Sequence, residues 1–81
     1  MASAPSFRQS APDLKRFLEK NIRVKLNAGR TVEGVLFSND HMLNIVLHNA
    51  SEVFEKEKPK FIGTMVIRGS AIIHLECLDR L

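Results

Sequence analysis

Arg68 stands where a charge is costly. In MVIRGSAIIHLE, residues 65–76, a run of strand-forming apolar residues is broken by Arg68, Gly69 and Ser70 and then resumes at once. A guanidinium is planar and permanently charged, and it can stack on a flat ring or grip an anion. Its place between two apolar runs leaves two readings open. It is an ordinary exposed turn residue, or it is a cation held ready for something negatively charged or aromatic. A second polar cluster, NDHMLN, places Asp40 and His41 two residues and one residue before Met42, with Asn44 closing the stretch. Short Asp and Asn side chains commonly serve turn backbone, and an isolated Met commonly fills a core gap. For each of these residues the structural reading stands beside the functional one.

Other constellations carry less. His41, His48, His74 and Cys77 include no pair at the close spacing of zinc motifs, so no metal is expected. Ser70 and His74 fall four residues apart on one expected strand, sharing a face but far beyond hydrogen-bond reach. With Asp79 they make no hydrolase. The chain is not read as an enzyme, and no cofactor is expected.

These residues need elements to position them. The chain has 81 residues, enough for one domain with a small core. A single cysteine rules out an internal disulfide and fits a reducing compartment. The stabilisation that so small a domain needs is therefore expected from neighbouring subunits. A net charge of +3 with mixed signs and a pI near 9.4 is compatible with a polyanionic partner. The amino-terminal MASAPSFRQSAP lacks the apolar stretch of a secretion signal. No apolar run approaches the roughly 20 residues that cross a bilayer. The reading at this point is a soluble, intracellular chain.

Residues 1–11 read as a flexible tail and 12–81 as the domain. Pro12, a capping pair Ser10 and Asp13, and the apolar stripe Leu14, Phe17, Leu18 predict a short helix over 12–20. From Asn21 the period changes to two. In IRVKLN, Ile22, Val24 and Leu26 alternate with polar residues, which marks a strand with one wet face. AGR is a turn in which Gly29 is free to take positive φ. TVEGVLFS is a second strand, and Gly34 inside it marks a bulge, a bend or a close backbone approach. A third strand follows in MLNIVLHNA, then a charged loop over 50–60. IGTMVIR and AIIHLECL read as a last hairpin around Gly69 and Ser70.

The fold class is thus mostly β: a short helix followed by a strongly bent five-stranded antiparallel small barrel. Strands four and five are nearly continuous in apolar residues, which implies that both of their faces are covered. One small sheet cannot do that alone, and an open apolar edge invites aggregation. Pairing with other subunits in a closed ring resolves both problems.

With the glycine-bent second strand, NDHMLN and IRGS on the page, the chain resembles the Sm and Sm-like family. The family's first motif ends in an Asp, two variable residues, an apolar residue and an Asn, matched by Asp40 through Asn44. Its second motif is an Ile- or Cys-Arg-Gly turn, matched by Ile67, Arg68 and Gly69. The resemblance covers about 12–80, with the first motif over about 22–49 and the second over about 61–76. PDLKRFLEKNIRVKLNAGR, MVIRGSAIIHLECLDRL and the short loop of 51–60 look most like the G-type branch of the family.

The resemblance implies that strand four of each subunit pairs with strand five of a neighbour, completing a seven-membered ring. Such rings hold uridine-rich single-stranded RNA at a central hole, one nucleotide per subunit. For a G-type subunit the neighbours would be E-like and D-like Sm subunits. The RNA would be a spliceosomal small nuclear RNA, and the site of action the nucleus after a cytoplasmic assembly stage. Met42 would lie on one face of a base and Arg68 on the other, while Asn44 bonds the uracil edge. Gly69 would leave room for the sugar and phosphate. Asp40 would brace the Asn44 loop and the arginine. The stacking position is usually aromatic or His in this family, so Met42 departs from the pattern, and His41 is the alternative stacking residue. Two other readings remain: an Sm-like ring subunit in RNA decay or U6-type small nuclear RNA binding, or else a homomeric ring, and a barrel that binds only proteins.

Overall fold

The computed structural model describes residues 14–79. Five strands follow one another: β1 Asn21–Leu26, β2 Thr31–Asn39, β3 Ile45–Val53, β4 Lys60–Ile67 and β5 Ile72–Cys77. They form one antiparallel sheet in the order β4-β3-β2-β1-β5. Period-two patterning directs the core. Ile22, Val24 and Leu26 of β1, Val32 and Leu36 of β2, and Ile45 and Leu47 of β3 are buried with Ala50, Ile67, Ile72 and Leu14. The alternate positions of β1 stay wet, where Arg23 reaches Glu33 of β2 at 2.7 Å and Glu76 of β5 at 3.2 Å.

Gly34 is the hinge of this small sheet. The β2–β3 register shifts between Glu33 and Val35 and again between Leu36 and Ser38. A Cβ on Gly34 would stand 3.0 Å from the Ala50 Cα and 3.1 Å from the His48 carbonyl oxygen. The glycine thus marks both a bulge and a close approach, and the shifts bend a strand that would otherwise be flat.

Three expectations are corrected. The segment expected as a helix over 12–20 shows a 3-10 turn, Leu14–Phe17, within the described residues; Ser10, Pro12 and Asp13 lie outside them. Glu19 ends the turn with φ of 65°. Its N–H donates to the Leu36 carbonyl, and the Leu36 N–H donates to the Lys20 carbonyl. These bonds extend the β1–β2 ladder backwards, and that pairing competes with any further helical turn.

The last two strands also form no hairpin. β4 pairs with β3, whereas β5 pairs with β1 at the opposite end of the sheet. A tight hairpin loop needs positive φ, yet neither Gly69 nor Ser70 has it. Instead a 3-10 turn, Gly69–Ala71, sends the chain from one edge to the other. The charged loop is also shorter than 50–60, because β3 runs on through Ser51, Glu52 and Val53.

Both outer strands therefore keep a free edge within the chain, and Phe61, Ile62 and Val66 of β4 and Ile73 of β5 are exposed. Among the described residues no helix is long and apolar enough to cross a membrane. Leu36 is fully buried at the centre of this core. Leu36→Ala should cost about 2–5 kcal/mol, whereas Leu36→Met should cost less than about 1.5 kcal/mol. Urea unfolding of the assembled protein measures the difference.

Candidate nucleic-acid interface

The β2–β3 loop is organised by one carboxylate. Asp40 Oδ1 accepts from the backbone N–H of Met42 at 2.9 Å and of Asn44 at 3.0 Å. Asp40 Oδ2 accepts from the Asn44 side-chain amide at 3.1 Å. The backbone closes the same loop, since the Leu43 N–H donates to the Asp40 carbonyl and the Asp40 N–H to the Asn44 carbonyl. The hydrogen bond from the Asn44 side chain is the main cause holding the Asp40 carboxyl below its ordinary range. Partial burial opposes it, while the two backbone donors and nearby His41 act in the same direction. A carboxylate with a lowered pKa contributes its stabilisation at pH above the ordinary value and loses it as the pH falls through the lowered one. The loop is therefore intact at neutral pH.

Asn44 then joins this loop to the other. Its Oδ1 accepts the Gly69 N–H at 2.9 Å. Arg68, next to Gly69 in the chain, is thereby brought to the same cleft as Met42 and Asn44. The cleft measures about 830 Å³, and His41, Ser70, Val46 and Val66 also line it. Arg68 is exposed, and its guanidinium has no hydrogen-bond or ion-pair partner among the described residues. Met42 is 66% exposed, so it is not a core residue.

Two expected roles change. Asp40 braces the Asn44 loop but makes no bond to Arg68. Gly69 is buried, and a Cβ there would stand 2.3 Å from the Met42 carbonyl oxygen. The space its Cβ would take is thus filled by the neighbouring loop rather than left open, while the Gly69 backbone still lines the cleft. Asn44 is also more committed than its type suggests. One amide hydrogen and one carbonyl lone pair are used in the clamp, and one of each remains for a ligand.

Val46 and Val66, which face each other in register, were not singled out from the sequence. Their signal was period two, because each alternates with a core residue, Ile45 or Ile67. Among the described residues no group of three His, Cys, Asp or Glu side chains is placed to hold a metal ion.

A bent five-stranded sheet, free edges on its first and last members in space, and a cleft pinned between the β2–β3 and β4–β5 connections define a small barrel with both outer strands open for pairing. The sequence pattern of the LSM domain matches residues 12–76, and the chain belongs to that family of Sm and Sm-like proteins. It is 46% identical to small nuclear ribonucleoprotein G of Schizosaccharomyces pombe over 88% of this chain and 92% of that protein. Among solved structures, a heptameric archaeal Sm protein superposes with a TM-score of 0.76 at 29% identity, covering 82% of this chain and 96% of the other. The Sm protein of Pyrococcus abyssi, solved in complex with a uridine heptamer, gives 0.73 at 33% identity over 79% and 90% of the two chains.

Proposed function

We propose that this chain is the G-type subunit of a seven-membered Sm ring that holds uridine-rich single-stranded small nuclear RNA for pre-mRNA splicing. The observation that carries the reading is the clamp from Asp40 through Asn44 to Gly69. It places an unpaired guanidinium, a half-free carboxamide and an exposed thioether around one cleft. A uracil edge mixes acceptors with one donor, which suits the hydrogen and the lone pair left on Asn44. Arg68 covers one face of the base and Met42 the other, with Asp40 fixing the loop and His41 beside it. The free edges of β4 and β5 support assembly with E-like and D-like neighbours. A nuclear ribonucleoprotein follows from the relatives, and a cytoplasmic assembly stage is part of the same proposal.

Co-expression with E-like and D-like partners, followed by native mass spectrometry with and without a uridine-rich oligonucleotide, tests it. The expected result is a mixed heptamer that takes up one oligonucleotide. A stable heptamer of this chain alone would favour a homomeric ring instead.

Met42 offers a second test. Aromatic stacking on a base contributes about 1–3 kcal/mol, against about 0.3–1.5 kcal/mol for a thioether on a ring. Met42→Phe in the assembled ring should therefore tighten uridine-rich RNA by about fivefold. Unchanged or weaker binding in a titration would remove Met42 from the stacking role and pass it to His41.

A further inference from the structure

Phe37 is an aromatic ring on the surface of an internal strand. It is 58% exposed, and its ring stacks on His48 with centroids 4.0 Å apart and planes 16° from parallel. Neither residue belongs to the core. The core side of β2 is taken by Val32, Gly34 and Leu36, which leaves Phe37 on the opposite face. His48 holds the ring in place from β3, covering one face. The other face meets solvent.

The surroundings of this pair suit a base rather than an ion. Val35 pairs in register with His48, and Val46 pairs with Val66, so no charge lies at these flanking positions. Val46 and Val66 also line the cleft, as does Ser38, the residue after Phe37. Val46, two residues before His48 on β3, thus carries apolar surface from the Arg68 cleft toward the stacked rings. β2 and β3 are internal strands, so subunits pairing at the edges of β4 and β5 leave their hydrogen bonding undisturbed.

We infer that Phe37, backed by His48, is a second base-stacking platform, used by a nucleotide of a longer RNA beyond the seven that the clefts of the ring hold. The inference rests on the proposed RNA cleft and extends it. Aromatic platforms accept any base through its π-face, and a ring already fixed by a neighbour loses little freedom when a base settles on it. The platform therefore adds affinity for longer RNA without adding sequence preference.

The test uses the assembled ring and two probes, a uridine heptamer and a uridine-rich oligonucleotide twice that length. Phe37→Ala should weaken the longer probe about fivefold or more while leaving the heptamer within twofold. This chain contains no tryptophan or tyrosine. Phe37→Trp therefore places a reporter whose fluorescence should be quenched by the longer probe and not by the heptamer. Equal effects on both probes, or an unquenched tryptophan, would overturn the platform. Loss of ring assembly in Phe37→Ala with RNA affinity preserved in Phe37→Trp would reassign the pair to a protein contact. If the heptamer binds in an Arg68-dependent way and neither Phe37 variant responds, only the platform fails. If no RNA binds at all, the proposed function fails with it.

Discussion

Gly69→Ala should dismantle the cleft and take most of the chain's assembly competence with it. The added Cβ would stand 2.3 Å from the Met42 carbonyl oxygen and 3.0 Å from the carbonyl carbon and oxygen of Leu43. All three atoms are backbone, and that backbone is pinned. Asp40 holds the Met42 N–H through its side chain and the Leu43 N–H through its carbonyl. Leu43 sits at φ of 64°, a left-handed conformation with little slack. The loops must therefore part, which breaks the Gly69 N–H bond to Asn44.

Overpacking of this kind costs about 1–3 kcal/mol, and leaving a buried polar group unsatisfied costs about 1–3 kcal/mol more. For a domain of this size each kcal/mol lowers the melting temperature by about 4–8 °C. A drop of well over 10 °C and poor incorporation into the ring are expected, read by thermal melting and native mass spectrometry. Gly29→Ala is the control. Gly29 has φ of 77°, but nothing lies within 4 Å of its Cβ position, so only local backbone strain is incurred. If the two variants melt alike, steric filling by the neighbouring loop is not the reason for glycine at position 69.

The sequence made the inner strands legible because one face of each is wet. Ile22, Val24 and Leu26 against Asn21, Arg23 and Lys25 leave one register for β1. Gly34 announced the bend for a similar reason, since a glycine in a strand has few other uses. The outer strands were less legible. A nearly continuous apolar run looks the same whether its strands pair with each other or part at a turn. The 3-10 turn over Gly69–Ala71 separates the two cases, and composition does not record that backbone path. The helix expected over 12–20 failed where local propensity met tertiary pairing, because the carbonyl and N–H of Leu36 recruited Glu19 and Lys20.

At the cleft, the resemblance to the family pointed to Asp40, Met42, Asn44 and Arg68, where residue types alone left turn readings open, yet the division of labour came from geometry. Asn44 has two jobs, joining the loops and facing the cleft. Arg68 has one. That asymmetry separates binding from folding among these side chains, and it makes the arginine the cleaner probe.

Arg68→Ala should weaken uridine-rich RNA by about 5- to 150-fold, the range that stacking and charge together support. The fold should be unaffected, because the guanidinium is exposed and makes no hydrogen bond or ion pair among the described residues. Arg68→Lys separates the two contributions. It keeps the charge, so the dependence of affinity on salt should stay near that of the unaltered ring, whereas the alanine variant should show a shallower slope. Lysine offers no plane to lie against a base, so affinity should still fall, to a value between the other two. Asn44→Ala, by contrast, should lose RNA affinity and melting temperature together, because it frees the buried Gly69 N–H. Titrations at several salt concentrations, with melting curves of the same rings, distinguish these patterns. Should Arg68→Ala bind within twofold of the unaltered ring, the cleft is a structural joint between two loops and the RNA lies elsewhere.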